Sequence, residues 1–189
     1  MKLDYRAELT TGQKRTTQMV VSAFFLLLTR KNFDDITVRE ICRNSLIPSS
    51  TFYNYFEDKY DVFRWAFFKY FYKFYPELHE KMNHYDLIDK DADRMYDFLQ
   101  EFGPMLKKVF RKNPENGTLH QLITQCMTEI GDIIEENCTS GRDYQMPYEI
   151  VKHTYVDALR QILDQTFYGG QTFSREQLHT YMNKVFNPK

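Results

Sequence analysis

The residues of this sequence that could do chemistry are short polar side chains gathered between Thr37 and Lys59. Their hydroxyl and amide groups donate and accept hydrogen bonds, as recognition of another polar molecule requires. Asn54 can bond an adenine edge through two hydrogen bonds, and Thr51 can pack on a thymine methyl group. The segment therefore favours binding of DNA over a chemical reaction.

No catalytic constellation accompanies this segment. Paired carboxylates such as Glu135-Glu136 fall on helix-surface runs, and His79 with His84 is too small a set for a metal site. Three other histidines lack a Ser or Cys partner at a recognisable motif spacing: His120, His153 and His179. The sequence predicts that the protein is not an enzyme and that it holds no metal or cofactor.

Two short helices must position the polar side chains. Thr37 and Glu40 have the spacing of a capping box, so the first helix begins after Thr37. Pro48 separates it from the second helix, because proline lacks an N–H donor and disfavours the helical conformation of the residue before it. In the second helix, residues 49–56, Phe52 and Phe56 lie four apart and face inward. This spacing is typical of a helix-turn-helix, whose second helix can enter a DNA major groove.

These residues also carry a family resemblance. The pattern T-V-x-x-I-x-x-x-x-x-I-x-x-x-T-F-Y-x-Y-F-x-x-K resembles the TetR family of bacterial transcription regulators, and the similarity spans residues 13–59. Two positions depart from the family: Leu46 replaces a turn glycine, and Pro48 replaces a small polar cap. Because a leucine with a positive φ is strained, we expect the turn to be built differently here.

The resemblance implies a function. Such proteins are cytoplasmic homodimeric repressors that bind a palindromic operator and are released by a small-molecule effector. It implies DNA-backbone contacts at Tyr55 and Lys59, and Thr37 fits the same role at the start of its helix. Tyr53 is either a half-buried prop or a phosphate contact. The positions implied to face the groove are Ser49, Ser50, Thr51, Tyr53 and Asn54.

Charge leaves a second function open. Residues 1–60 carry nine basic and seven acidic side chains, the whole chain has a net charge of -1, and the second helix has no arginine. The alternative is therefore an adaptor or coactivator whose helix-turn-helix binds a partner protein rather than DNA. If DNA is the partner, DNA shape and backbone contacts carry more of the affinity than guanine readout.

The rest of the chain predicts an all-α protein of about nine helices: a DNA-binding domain over residues 1–59 and a ligand-binding and dimerisation domain over 60–189. Residues 1–12 form a polar arm, and a first helix, residues 13–31, buries Val20, Phe24, Leu27 and Leu28 and ends at a left-handed Asn32. The other predicted helices are 59–75, 88–102, 104–112, a seventh from Thr118, an eighth from Pro147 and a ninth from Ser174. The spacing of a capping box also occurs at Thr10 with Gln13, at Thr118 with Gln121 and at Ser174 with Gln177. By the resemblance, the last two helices form the dimer interface.

Aromatic and methionine side chains in the second domain are candidates for an effector pocket, and their chemistry indicates a small apolar or aromatic effector. The candidates are Trp65, Phe68, Tyr72, Met95, Tyr96, Phe102, Met105, Phe110 and Met127. The alternative for each of them is ordinary core packing.

Cysteine use and hydropathy indicate a compartment. Cys42, Cys126 and Cys138 form no CxxC pair, which fits a reducing cytoplasm and small core side chains. The apolar run over residues 20–28 is too short to span a bilayer, and no signal peptide precedes it. The sequence therefore predicts a cytoplasmic protein without a membrane segment.

Overall fold

The computed structural model describes residues 2–74, 82–140 and 147–186, and the described residues form an all-α protein of eight helices. One short parallel strand pair, β1 (Met82–Asn83) with β2 (Cys138–Ser140), is the only extended pairing in these residues. The helices are α1 (Thr11–Leu28), α2 (Val38–Ser45), α3 (Ser49–Tyr55), α4 (Lys59–Phe74), α5 (His84–Lys112), α6 (Thr118–Asn137), α7 (Tyr148–Phe167) and α8 (Arg175–Phe186).

Helix α1 has the predicted buried face, but it begins two residues before the predicted start and ends earlier than predicted. Thr10 and Gln13 form its capping box, and the four residues predicted to be inward are all buried. The helix ends at Leu28 rather than Lys31. Asn32 has no positive φ, so its predicted left-handed conformation is wrong; its Oδ1 atom instead accepts a hydrogen bond from the Asp34 amide at 2.8 Å.

The first residues of the chain are not a solvated polar arm. Leu9 is buried, and the Tyr5 ring stacks on Phe68 of α4 at 4.8 Å between centroids. Lys69 of α4 donates a hydrogen bond from Nζ to the Tyr5 carbonyl at 3.1 Å. Apolar burial and stacking therefore hold this segment on α4 despite its polar composition.

Helix α5 joins two helices that the sequence separates. The Gly103-Pro104 pair predicts a break, yet the helix continues through both residues to Lys112. Pro104 removes one backbone hydrogen bond. Met95, Val109 and Phe110, on both sides of it, are buried in the core, and this packing outweighs the local cost. The chain therefore has eight described helices rather than nine.

Helix α6 begins at the predicted residue without the predicted cap. Thr118 does not cap α6 with Gln121; its hydroxyl donates to the Asp34 carboxylate at 2.9 Å, and the Gln121 amide bonds to the Gly117 carbonyl. Further along α6, Gly131 faces Lys152 of α7, where an added Cβ atom would lie 2.6 Å from the Lys152 Cγ atom. The glycine thus permits the close approach of α6 and α7.

The apolar faces of α7 and α8 are covered within the chain. The Ser174–Gln177 capping box forms as predicted at the start of α8. The buried apolar residues of the two helices are Tyr155, Val156, Ala158, Leu159, Ile162, Leu178 and Met182. All of them except Ala158 belong to one continuous core that also includes residues of α1–α6.

Candidate functional site

The turn between α2 and α3 has a left-handed residue, as a glycine-based turn would. Leu46 ends α2 with φ 57° and ψ 36°, and its side chain is 84% exposed. The expectation that this leucine forces a different turn is therefore wrong. The left-handed backbone strains a leucine, and the exposed side chain gains no burial in return. Leu46 thus combines two unfavourable features at one surface position.

Helix α3 presents the predicted polar face. Phe52 and Phe56 are fully buried, whereas Ser49, Ser50 and Asn54 are exposed. Thr51 and Tyr55 are half-buried. Because the phenylalanine pair fixes the rotation of this short helix, the six other side chains of residues 49–55, Tyr53 among them, lie around its accessible surface.

For Tyr53, the structure shows the contact of a prop, and the phosphate contact stays a prediction. Its ring packs edge-on against Phe52 at 5.4 Å between centroids, and the residue is 47% exposed. The ring therefore props the helix, and about half of the residue stays exposed. The Tyr53 carbonyl accepts a hydrogen bond from the Lys2 Nζ atom at 2.9 Å, which places a cation beside the same helix.

At the start of α2, Thr37 is already engaged with Glu40. The Thr37 hydroxyl donates to the Glu40 carboxylate at 3.0 Å and accepts from the Glu40 amide at 3.2 Å. A 2.6 Å ion pair with Lys31 and the bond from the Thr37 amide lower the pKa of Glu40 to about 2. A phosphate at this helix end would meet a carboxylate, so the contact at Thr37 stays a prediction.

Lys59 has a role inside the protein. Its Nζ atom donates to the carbonyls of Phe33 and Asp34 at 2.8 and 3.0 Å, and it lies 4.7 Å from the Phe33 ring centroid. The first residue of α4 therefore ties down the loop that follows α1. A DNA-backbone contact at Lys59 stays a prediction, and it would have to share the ammonium with these two carbonyls.

Sequence reasoning overlooked two cations next to α3. Arg39 and Arg43 lie on α2, one turn apart, and both are exposed. Their spacing from the buried Ile41 placed them on the outer face of the helix, so the sequence held the signal. They can supply the guanidinium groups that α3 itself lacks.

Hydrogen bonds connect the loop before α2 and α3 to the helices that follow them. We call the contact between residues 32–35 and residues 112–118 the loop junction. Asn113, which is buried, accepts from the Phe33 amide through Oδ1 at 2.7 Å. The Tyr168 hydroxyl donates to the Asn113 carbonyl at 3.0 Å. Nearby, Arg64 of α4 makes a bidentate ion pair with Glu129 of α6, with both bonds at 2.7 Å.

A cavity of about 500 Å³ lies among α1, α4, α5, α6 and α7. Its volume is within the range of small-molecule sites. Five predicted pocket residues line it: Met95, Phe102, Met105, Phe110 and Met127. Phenylalanine, leucine, isoleucine and methionine make up most of the wall, and Arg94 is the one charged residue among the described residues that line it.

Four other predicted pocket residues lie away from the cavity. Trp65 packs edge-on against Phe56 at 6.0 Å. Phe68 and Tyr72 stack on Tyr5, and the guanidinium of Arg175 lies 4.5 Å from the ring centroid of Tyr96. These aromatics hold the amino-terminal segment, the α3 unit and α8 in place. Composition cannot separate them from cavity residues, because both uses need the same side chains.

The cavity also includes a wall that sequence reasoning missed. Helix α1 contributes its second face to it, through Val21, Ser22, Phe25, Leu26 and Thr29. The opposite face of α1 buries Val20, Phe24 and Leu28 in the core. One helix therefore contacts both the cavity and the α2–α3 unit. The apolar run 20–28 was a usable signal, since it is wider than a single buried stripe.

Other candidate sites are limited. In the described part of the chain, no group of His, Cys, Asp and Glu side chains could hold a metal ion. No described helix is both long and apolar enough to cross a membrane. Cys42 and Cys126 are buried free thiols, and burial raises the pKa of Cys126 to about 12. The Cys138 side chain and the His79 and His84 side chains lie outside the described residues.

Comparison with known proteins finds no family model that matches the chain and no curated protein that is significantly similar to it.

Proposed function

We propose that the protein is a TetR-like transcription regulator: a homodimeric, cytoplasmic repressor that binds a palindromic operator and is released by a small-molecule effector. The observation that carries this proposal is the exposed polar face of α3, held by the buried Phe52 and Phe56 beside a left-handed turn. A recognition helix needs this combination of a fixed rotation and free hydrogen-bonding groups.

The proposed contacts divide by chemistry. Ser49, Ser50, Thr51, Tyr53 and Asn54 face the groove, and Thr37, Tyr55 and Lys59 contact the backbone. Exposed Arg39 and Arg43 add phosphate contacts.

Release by an effector is supported by the cavity. Because α1 borders both the cavity and the α2–α3 unit, a ligand that changes the position of α1 would change the orientation of α3. The loop junction is a second connection between the same parts of the molecule. The effector acts by binding one arrangement of these helices more tightly than the other.

A titration against the DNA upstream of the protein's own gene tests the proposal. We expect sub-micromolar binding at low salt and a steep loss of affinity as salt rises. The Asn54→Ala variant should lose affinity for the operator and little for random DNA, whereas Arg43→Ala should weaken both. Lys107→Ala, an exposed lysine of α5, is the control and should change neither. Failure of every fragment to bind at low salt would reject the repressor.

The alternative is an adaptor or coactivator that binds a partner protein through α2 and α3. The observation that favours it is Leu46, an apolar side chain that is 84% exposed at the turn. In that case Leu46→Asp would abolish partner binding, and no DNA fragment would be retained.

A further inference from the structure

Two stacked rings form part of the cavity wall where α5 meets α7. Phe110 of α5 and Phe167 of α7 both line the cavity, and their ring centroids lie 4.7 Å apart with 3° between the ring planes. A stacked aromatic pair contributes binding energy beyond its buried area, so it holds the two helices together at this point. A molecule that fills this part of the cavity therefore contacts both helices.

Tyr168 connects these rings to the outside of the cavity. It follows Phe167 in the chain and lies outside the cavity wall. Its ring packs edge-on against Phe110 at 5.3 Å between centroids, and the His120 ring lies 6.2 Å away. Because Tyr168 is joined to one stacked ring through the backbone and packs on the other, displacement of either ring moves the Tyr168 hydroxyl.

Asn113 links this hydroxyl to the loop before α2. The Tyr168 hydroxyl donates to the Asn113 carbonyl at 3.0 Å, and the Asn113 Oδ1 atom accepts from the Phe33 amide at 2.7 Å. The Asn113 Nδ2 atom donates to the Val109 carbonyl at 2.8 Å, and the residue is 2% exposed. A buried side chain with these bonds cannot move without leaving a polar group unpaired. One asparagine thus connects the end of α7 to the loop at Phe33.

We propose that Tyr168 is a positioning residue that couples the cavity to the α2–α3 unit. A ligand that displaces the Phe110–Phe167 stack breaks the hydrogen bond from Tyr168 to Asn113 and thereby loosens the loop at Phe33. The inference rests on the proposed function, in which this cavity is the effector site. The ligand shifts the equilibrium to the extent that it prefers the arrangement with displaced rings.

Two tryptophan substitutions that fill the cavity beside the stack serve as the probe in place of an effector. Leu106→Trp and Leu163→Trp each place an indole in the cavity, one turn before Phe110 and Phe167 respectively. We expect each variant to accelerate amide hydrogen exchange at Phe33 and to weaken binding of the upstream DNA fragment, both by at least about fivefold. The reference is the amide of Met182, which is buried in α8 and should exchange as in the wild type.

Tyr168→Phe separates coupling from a merely structural role, since it keeps the ring and removes the donor to Asn113. Alone, it should accelerate exchange at Phe33 about three- to tenfold and weaken DNA binding to a similar extent. Added to Leu106→Trp or Leu163→Trp, it should change either quantity by less than about twofold, because the bond is already broken. Tyr181→Phe, the same change at an exposed tyrosine of α8, is the control and should leave the tryptophan effects intact.

The proposal fails if Tyr168→Phe and the tryptophan substitutions act additively, or if exchange at Phe33 is unchanged in both tryptophan variants. Equal acceleration at Met182 and Phe33 would also overturn it, since the whole fold rather than the loop would then have loosened. Tyr168→Phe that alters exchange at Phe33 by less than about twofold would overturn it whether or not the tryptophan variants fold.

The two readouts separate this proposal from the proposed function. Hydrogen exchange needs no DNA, so it tests the coupling even if no fragment binds. DNA binding by the wild type that neither tryptophan variant weakens would reject the coupling and leave the repressor standing.

Discussion

At the scale of single residues, Leu46 has a strained conformation that nothing in its packing offsets. Its φ of 57° is unfavourable for a side chain with a Cβ atom, and 84% of the residue is exposed. A residue of this kind at the tip of a turn is typical of a contact made for function rather than for stability. The measurement that separates the two uses is the stability of a glycine variant.

We predict that Leu46→Gly raises the free energy of unfolding by about 0.5–1 kcal/mol. Glycine removes the backbone strain of the folded state, and this gain exceeds the destabilisation that comes from the higher conformational entropy of glycine in the unfolded chain. Urea denaturation checks this value. Leu46→Ala is the control: it keeps the Cβ atom and should stay within about 0.5 kcal/mol of the wild type. A glycine variant that is less stable than the alanine variant would show that the leucine side chain itself holds the turn.

Glu40 is a residue whose effect depends on pH. The Lys31 ion pair and the Thr37 amide hold its pKa at about 2, below its ordinary value of 4.5. A carboxyl with a lowered pKa stabilises the fold above its unfolded pKa, and this contribution is lost as pH falls through the folded value. The stabilisation by Glu40 is therefore present at neutral pH and disappears between about pH 4.5 and 2.

We predict that Glu40→Gln lowers the free energy of unfolding by less than about 1 kcal/mol at neutral pH and low salt, since the ion pair is partly exposed. The glutamine side chain can still accept a hydrogen bond from the Thr37 amide in the capping box. The variant therefore removes only the negative charge of Glu40. Denaturation from neutral pH to about pH 2 should show the two proteins converging. A constant difference over this range would assign the effect to something other than titration of Glu40.

At the scale of elements, two helical glycines have opposite roles. No neighbouring group requires a glycine at position 103, because an added Cβ atom there would meet nothing within 4 Å. At Gly131 the same atom would lie 2.6 Å from the Lys152 Cγ atom, and Lys152 is held by Asp132 and Glu149 at 2.8 and 2.7 Å. The first glycine is a local defect of α5, and the second sets the distance between α6 and α7.

We predict that Gly103→Ala raises the free energy of unfolding by about 0.5–1 kcal/mol through helix propensity alone. Gly131→Ala should lower it by about 1–3 kcal/mol, because α6 and α7 must separate or Lys152 must give up its ion pairs. Thermal denaturation of the pair, with each variant the control for the other, checks both signs. A stabilising Gly131→Ala would mean that Lys152 moves aside at little cost.

The loop junction gives the second prediction at this scale. Asn113→Ala leaves the Phe33 amide without the Asn113 Oδ1 acceptor, and we expect a loss of about 2 kcal/mol. Thr118→Val, which removes a more exposed bond to Asp34, should cost less than about 1 kcal/mol. Amide hydrogen exchange at Phe33 should accelerate in the first variant only. Equal exchange in both would show that Asn113 does not hold the junction.

At the scale of the whole molecule, the proposed dimer requires an apolar surface. The apolar faces of α7 and α8 are buried in the chain's own core. Among the large apolar side chains described, the two helices expose only Ile150 (53%) and Tyr181 (37%). A homodimer through these helices would therefore centre on those two residues, within a polar rim.

We predict that light scattering gives a mass of twice 22.9 kDa for the wild type. The Ile150→Asp, Tyr181→Asp double variant should raise the dissociation constant of the dimer at least about tenfold, because buried apolar anchors dominate the binding energy of an interface. Leu46→Asp, an equally drastic change at an exposed residue outside α7 and α8, should leave the mass unchanged. A wild type of 22.9 kDa at micromolar concentration would rule out this dimer.

The sequence by itself determined the features that depend on neighbours within one helical turn. The capping boxes at Thr10, Thr37 and Ser174, the inward pair Phe52 and Phe56, and the all-α class all follow from spacings of three or four residues. Such contacts form whatever the rest of the chain does, so local reasoning finds them.

Only the tertiary structure decided the features in which distant residues compete. Helix α5 continues through Pro104 because residues on both sides of the proline are buried in the core. The Tyr5 ring stacks on Phe68 of α4. The Thr118 hydroxyl donates to the Asp34 carboxylate instead of forming the predicted cap of α6. The cavity belongs here too, because it is the space left when five helices pack, and identical aromatic residues either line it or fill the core. The polar face of α3 was readable from the sequence, whereas the charged residue that lines the cavity was not.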